Sequence, residues 1–395
     1  MYTPGTVQLH HHSGKLFDAF CDFSVSHPEI TWHQTADFFR FALDWPEAEP
    51  VLLIAVHDKK LLDPGATYWT DKKGSLPDGR SKEVTKERII AGSMLAVMVR
   101  QPLRSGKGFS FLRWVGRSFT TSTIIAGGPL LATGTRLEKE FVLKALLKAL
   151  HDIAGKHSAY TEYDFFSATG DLEAAFRMHG FRPCKKVRLD FRLTSAEDAW
   201  QKAGAVFREQ VTACRAKDIK VIQHPGSHQI RDFYGLLKQE KAGLEKALPP
   251  ESYFQHLVAG KKETDAAEHA MQPAQTKPVS KVFVASLDGV VVGGIAMGVV
   301  PGKHMQVLFA AGKGSMPANG ELNPLSLACW SAMEYALEQN IPLSSWPEEV
   351  VSGNAKSTDA DLFGGGEWKT GECQVKTSHP WYRMLWKKLF PDKEA

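Results

Sequence analysis

VFVASLDGVVVGGIAMGVV, residues 282–300, decides the fold. Two apolar runs meet at Asp288-Gly289, a dipeptide suited to a tight hairpin because both residues accept the positive φ that a two-residue turn demands. Little polar alternation interrupts either run, so both read as strands covered on both faces. The first half of the chain carries a counterpart, VLLIAVHD (51–58) followed by IIAGSMLAVMV (89–99). The second members of the two pairs align without a gap, which sets Gly92 opposite Gly293.

Working outward, the match continues. STIIAGG (122–128) and MQVLFAAG (305–312) are third strands, each ending in glycine. A helix follows in both halves, EKEFVLKALLKALHDIAG (138–155) and NPLSLACWSAMEYALEQN (323–340). The first has an apolar stripe at helical spacing, and the second opens with Asn323 as N-cap and Pro324 at its first position. Each leads into a further short strand, AYTEYDFF (159–166) and IPLSSW (341–346). Strand, strand, strand, helix, strand is thus written twice, as expected of a duplicated α/β module.

The joints differ. Where the second copy has Asp288-Gly289, the first has the thirty residues Lys59 to Arg88, which read as a long surface loop. Another polar stretch, residues 259–280, reads as an insertion. GFRPCKKVRLDFRL (180–193) is expected to be the closing strand of the first module. Residues 195–218 follow as a helix, capped by Ser195 with Asp198 completing a capping box. These features set a boundary near Thr194 and two domains, 1–194 and 195–395.

Bulk properties fit such an enzyme-sized α/β chain. At 395 residues it exceeds one typical core, and a net charge of +4 gives no general affinity for nucleic acid or membrane. Five scattered cysteines suit neither a disulfide framework nor a CxxC metal site, and point to a reducing cytoplasm. No apolar run reaches the ~20 residues of a spanning helix, and residues 1–15 lack the apolar core of a signal peptide, so a soluble protein is expected.

The duplicated mixed sheet resembles the tandem GNAT-like architecture of the FemABX family, which moves an amino acid from aminoacyl-tRNA onto an amine of a peptidoglycan precursor. Four stretches carry the resemblance: WHQTADFFRF (32–41), FREQVTACRAKDIKV (207–221), PPESYFQHL (249–257) and LFGGGEW (362–368). It implies two GNAT-like modules, an aminoacyl-tRNA co-substrate, a UDP- or lipid-linked muropeptide acceptor, and no cofactor or metal. It implies a phosphate-binding Arg208, a ligand approached by Gly364 and Gly365 and a catalytic lysine before that turn, for which Lys356 is the nearest candidate; Trp346, at the end of the strand after the second helix, is read as a further substrate contact. The sequence departs from the family at three places. Thr212 stands where a second arginine is usual, and Ala360 where the C-terminal lysine is usual, with Lys356 the nearest lysine upstream. The strand after the second helix ends Ser344-Ser345-Trp346 where an aspartate is frequent.

The residues themselves leave alternatives open. Aminoacyl transfer needs a deprotonated amine, a carbonyl held beside it and donors for the developing oxyanion. Glu162 and Asp164, two apart on one strand, share a face and suit the amine or its proton; ion pairing at a strand edge, which explains most strand carboxylates, is the other reading. Arg208 suits a phosphate or is a solvated arginine. Lys356 suits a leaving group or is a solvated loop lysine, and Gly364 and Gly365 suit close backbone approach or a plain turn. His10, His11 and His12 read as solvated rather than as a metal tract. HPWYRMLWKKLF (379–390) offers an apolar stripe for peripheral membrane contact or for docking on the core. One alternative function is an acyl-CoA-dependent N-acyltransferase of an amino sugar or peptide, with pyrophosphate held by loops 127–138 or 311–323. The other is a catalytically idle binding protein of the same fold. Neither the amino acid, the acceptor nor the oligomeric state is written in the sequence.

Overall fold

The computed structural model describes residues 5–10, 12–28, 30–45, 48–58, 68–71, 86–100, 121–154, 160–164, 172–240, 248–249, 251–259, 279–312, 322–347 and 367–377. They form two compact units, Met1–Cys184 with Glu372–Ala395, and Lys185–Gly371. Both are mixed α/β layers.

In the first unit, β1 (Gly5–Leu9), β2 (Ala48–Asp58), β4 (Lys86–Arg100), β5 (Thr121–Ala126), β7 (Tyr160–Asp164) and β14 (Glu367–Thr377) lie side by side in that order. All neighbours are antiparallel except β5 and β7, which helix α3 (Arg136–Ala154) joins. Strand β3 (Tyr68–Asp71) pairs with β4 from within the stretch that the sequence offers as a loop. Helices α1 (Lys15–Ser26), α2 (Ala36–Leu43) and α4 (Glu173–Met178) complete the unit. The core follows the apolar stripe of α3, where Val142, Leu143, Leu146, Leu147 and Leu150 are buried against β2 and β4.

The second unit repeats the plan. Its strands β8 (Arg182–Arg192), β13 (Leu343–Pro347), β12 (His304–Gly312), β11 (Val290–Val300), β10 (Val279–Leu287) and β9 (Lys220–Ile222) lie in that order. Here β12 and β13 are the parallel pair, and α9 (Pro324–Glu338) joins them. Asp288 and Gly289 turn with φ of 50° and 80°, the tight hairpin expected of this dipeptide. Helices α5 (Ala196–Lys202), α6 (Ala205–Ala216), α7 (Ser227–Glu240) and α8 (Glu251–Ala259) flank the sheet. The single helix expected over 195–218 is interrupted at Ala203-Gly204, since glycine is poorly helical and Ala203 turns into the core. Ser195 does cap α5, accepting the Asp198 N–H at 3.1 Å.

The closing strands depart from the order read in the sequence. β8 pairs with β13 of the second unit, where Leu189 and Phe191 enter the core, and β14 pairs with β7 of the first. Alternation in VRLDFRL explains β8: its leucines and phenylalanine supply one apolar face, and that face belongs to the second core.

The third strands also differ. β12 runs unbroken to Gly312, opposite Gly293. In the first unit the equivalent run is split into β5 and β6 (Leu130–Leu131) by Gly127-Gly128-Pro129, and β6 lies opposite Gly92. Gly127 and Gly128 have φ of 88° and 77°, and a Cβ on Gly127 would stand 2.3 Å from Thr31 Oγ1. Gln34 holds the kink, donating through Nε2 to the carbonyls of both glycines.

Candidate functional site

The second sheet opens beside its central helix. Among the described residues β12 and β13 pair only at Met305↔Ser344 and Gln306↔Ser345, although β12 continues from Val307 to Gly312. Opposite Ala296 and Met297 of β11, Leu308 of β12 is left over as a bulge, which adds curvature two residues beyond Gln306. The first unit keeps its parallel ladder: β5 and β7 pair from Ser122↔Tyr160 through Ala126↔Asp164. Among the described residues, β12 past Gln306 thus has no ladder to β13, whereas β5 keeps its ladder to β7.

Glycines bring α9 onto this strand. A Cβ on Gly312 would lie 2.7 Å from Leu325 Cβ, and one on Gly293 would lie 3.2 Å from the Leu325 nitrogen. Asn323 caps α9, accepting the Leu325 N–H at 3.2 Å, while its own N–H donates to Gln210 on α6 at 2.9 Å. Both central helices begin beside a carboxylate of the chain itself. In the first unit Glu138 accepts the N–H and hydroxyl of Thr135, at 2.8 and 3.0 Å. In the second, the Gly312 N–H donates to Glu240 Oε1 at 2.8 Å. An anion arriving at either place meets like charge.

At the root of the opening lies a buried polar chain. Asp190 on β8, Ser345 on β13 and His304 on β12 are 3%, 0% and 7% exposed, so His304 is its outermost member. Ser345 Oγ donates to Asp190 Oδ1 at 2.6 Å, and His304 Nε2 lies 2.8 Å from Ser345 Oγ. A hydroxyl has one proton and an ionised carboxylate only accepts. With the Ser345 proton on Asp190, Nε2 of His304 carries the hydrogen that reaches Ser345. Gln306 is buried on the same strand two residues from His304, whereas Met305 and Val307 between and beyond them join the apolar core on the opposite face. Thiol chemistry is absent from this core: burial pushes Cys214 up to about 11 and raises Cys329 further, so both stay protonated near neutrality.

The residues expected from the sequence are distributed as follows. Glu162 and Asp164 belong to β7, an interior strand, where Glu162 is opposite Ile124 and Val375. Because Ile124 and Gln306 hold matching positions in the two sheets, Glu162 is the first unit's counterpart of Ser345. Arg208 is half-buried on α6, the helix that packs on α9, and its guanidinium has no hydrogen bond or ion pair among the described residues. Thr212, one turn on, donates its hydroxyl to the Arg208 carbonyl at 2.8 Å. Trp346 is fully buried in the second core against Phe191, its indole N–H donating to Ser344 Oγ at 2.8 Å. Lys356, Gly364 and Gly365 lie outside the described residues, as does the segment 379–390. Asp190 and His304 were not singled out in the sequence. The signal for Asp190 was an acidic residue between Leu189 and Phe191, at the position where strand alternation leaves the apolar face.

No protein-family model and no curated protein matches the sequence. Among solved structures, FemX matches with a TM-score of 0.54 and 12% identity, over 96% of this chain and 99% of that one. A tandem GNAT protein from the clavulanic acid biosynthesis pathway, solved without acetyl-CoA, matches with a TM-score of 0.47 and 9% identity, over 95% and 99%. L-PGS from Bacillus licheniformis matches with a TM-score of 0.43 and 12% identity, over 74% and 85%. The likeness to FemX shows the fold, the tandem GNAT-like α/β arrangement that the resemblance to the FemABX family implies. Among the described residues no helix is long and apolar enough to cross a membrane.

Proposed function

We propose that this chain is an acyltransferase, and that it moves an amino acid from aminoacyl-tRNA to an amine of a peptidoglycan precursor. The observation that carries the reading is the parting of β12 from β13 after two residue pairs, beside a buried Asp–Ser–His chain. An acyl donor laid along β12 just past Gln306 pairs with backbone groups that β13 does not reach among the described residues, and its carbonyl then lies near polar side chains. The four stretches that resemble the FemABX family, together with the fold shared with FemX, support that chemistry, although fold alone does not fix function.

The carboxylates at the two central helices favour aminoacyl-tRNA over acyl-CoA. Glu138 and Glu240 occupy N–H groups at places where a pyrophosphate would seek them. Arg208, whose guanidinium has no partner among the described residues, suits a phosphate of the muropeptide or of tRNA. Glu162 and Asp164 keep the role read from their shared strand face, toward the amine or its proton, and Lys356, Gly364, Gly365 and Trp346 keep the catalytic and substrate-contact roles given them in the sequence, as part of the same proposal, with no metal or bound cofactor and with cytoplasmic placement.

Calorimetric titration with UDP-linked muropeptide, and separately with acetyl-CoA, tests the reading. Micromolar muropeptide binding that weakens on Arg208→Ala is the expected result. Acetyl-CoA binding with silence toward the muropeptide overturns the aminoacyl form and leaves an acyl-CoA-dependent N-acyltransferase. Silence toward both leaves an idle binding protein.

A further inference from the structure

Resting on the transfer reading above, we infer that the first unit takes up no acyl donor, because the Gln34 side chain fills its counterpart of the opening, and that the chain holds a single donor, on β12. The two third strands correspond on either side of the place in question. Ile124 matches Gln306, and Leu130 and Leu131 match Ala311 and Gly312, since each faces the same position of the preceding strand. Between them lie residues 307–310 in the second unit and 125–129 in the first, a stretch longer by one residue. In the longer stretch Gly127 and Gly128 stand outside the ladder at positive φ, and both of their carbonyls accept from Gln34 Nε2.

Gln34 Oε1 in turn accepts the Thr31 N–H at 2.7 Å and the Thr31 hydroxyl at 3.1 Å. A primary amide has two N–H hydrogens and two acceptor lone pairs, so this side chain is fully engaged. An extended ligand binds a strand by offering amide N–H groups to carbonyls of this kind. In the first unit an amide of the chain itself already makes that offer, and it is 4% exposed. Space is filled as well: a Cβ on Gly127 would stand 3.1 Å from Gln34 Cδ. Residues on both sides anchor the plug. Trp32 is buried against Phe38, and Thr35 caps α2 by accepting the Phe38 N–H at 3.2 Å. The second unit is built differently at the same point. Its order β9, α7, α8, β10 repeats β1, α1, α2, β2, yet the chain enters α8 through Pro249-Pro250, which carry no side-chain amide.

Hydrogen exchange read by mass spectrometry on the full chain tests this, with equilibrium dialysis to count sites. The probe is 3′-alanylamido-3′-deoxyadenosine, a stable amide analogue of the end of an aminoacyl-tRNA. The wild-type chain should take up a single equivalent, with slowed exchange over 307–312 and unchanged exchange over 121–131. Gln34→Ala empties the plugged place and uncovers both carbonyls. It should take up a second equivalent and gain protection over 121–131, with the response of 307–312 as in wild type. Protection of 121–131 by the probe in the wild-type chain overturns the inference and leaves the transfer reading standing. A Gln34→Ala chain with a native circular dichroism spectrum that still takes up a single equivalent does the same. Should Gln34→Ala fail to fold, the wild-type exchange pattern decides. A wild-type chain that binds neither the probe nor acetyl-CoA sinks the transfer reading, and the plug with it.

Discussion

The strand pairs β5–β7 and β12–β13 are the same element of one module built twice, and they end differently. The first keeps its ladder through Ala126↔Asp164, and its third strand is then kinked at Gly127 and pinned by Gln34. The second loses its ladder after Gln306↔Ser345 while β12 runs on to Gly312. A closed pair satisfies its own backbone, and an open pair offers its backbone to something else. Duplication has thus left one copy in which local rules agree and one in which the sheet is left incomplete. Such disagreement marks the half where chemistry is to be sought.

The largest expected effect breaks the closed half. Gly127→Ala adds a Cβ 2.3 Å from Thr31 Oγ1 at a φ of 88°. Left-handed backbone and overpacking together should cost about 2–5 kcal/mol, read by urea unfolding and by loss of amide protection in β5 and β6. Protection that persists there would mean the kink does not hold the first ladder closed.

Next comes the open half. Gly312→Ala forces Leu325 to move, since the new Cβ stands 2.7 Å from its Cβ, and should cost about 1–3 kcal/mol. Gly293→Ala, with its nearest neighbours at 3.2 Å, should cost less. Equal costs would mean that α9 does not rest on the end of β12. Helix caps give a finer contrast. Asn323→Ala and Thr135→Ala should each lose about 0.5–2 kcal/mol. The Asn323 loss should be the larger, because that cap is partly buried and the Thr135 bonds are exposed.

The smallest effect lies at the surface of the second unit. Hydrogen bonds from Lys202 and then Thr194 hold the Asp198 carboxyl below its ordinary value. The stability it adds to α5 is therefore present above the ordinary carboxyl range and is lost as pH falls through the lowered value. In a 13C carboxyl titration, Lys202→Met should move the Asp198 midpoint upward while leaving amide protection at β12 unchanged. A change at β12 would tie the opening to this distant cap.

Much of this architecture was legible in the sequence, and the illegible part has a physical cause. Helices α3 and α9, the Asp288-Gly289 hairpin and the matching of Gly92 with Gly293 rest on local periodicity, capping and turn chemistry, which a chain carries in consecutive residues. The partners of β8 and β14 do not, because an alternating strand specifies a face and not a neighbour. The same limit hid the polar chain. Ser345 was noticed as a departure from a family aspartate, yet Asp190, directly across the ladder from it, is 155 residues away in sequence. Arg208 and Glu162 were reachable by order and spacing, whereas the junction of three strands at His304 needed coordinates.

The late strand β14 has a consequence for the order in which the protein can be made. β7 receives its outer neighbour from residues 373–377, long after Asp164 has left the ribosome. Until then the first unit waits with an unpaired strand edge, the kind of surface that recruits chaperones or other chains. Synthesis that stalls after residue 371 would therefore damage the beginning of the protein, not only its end.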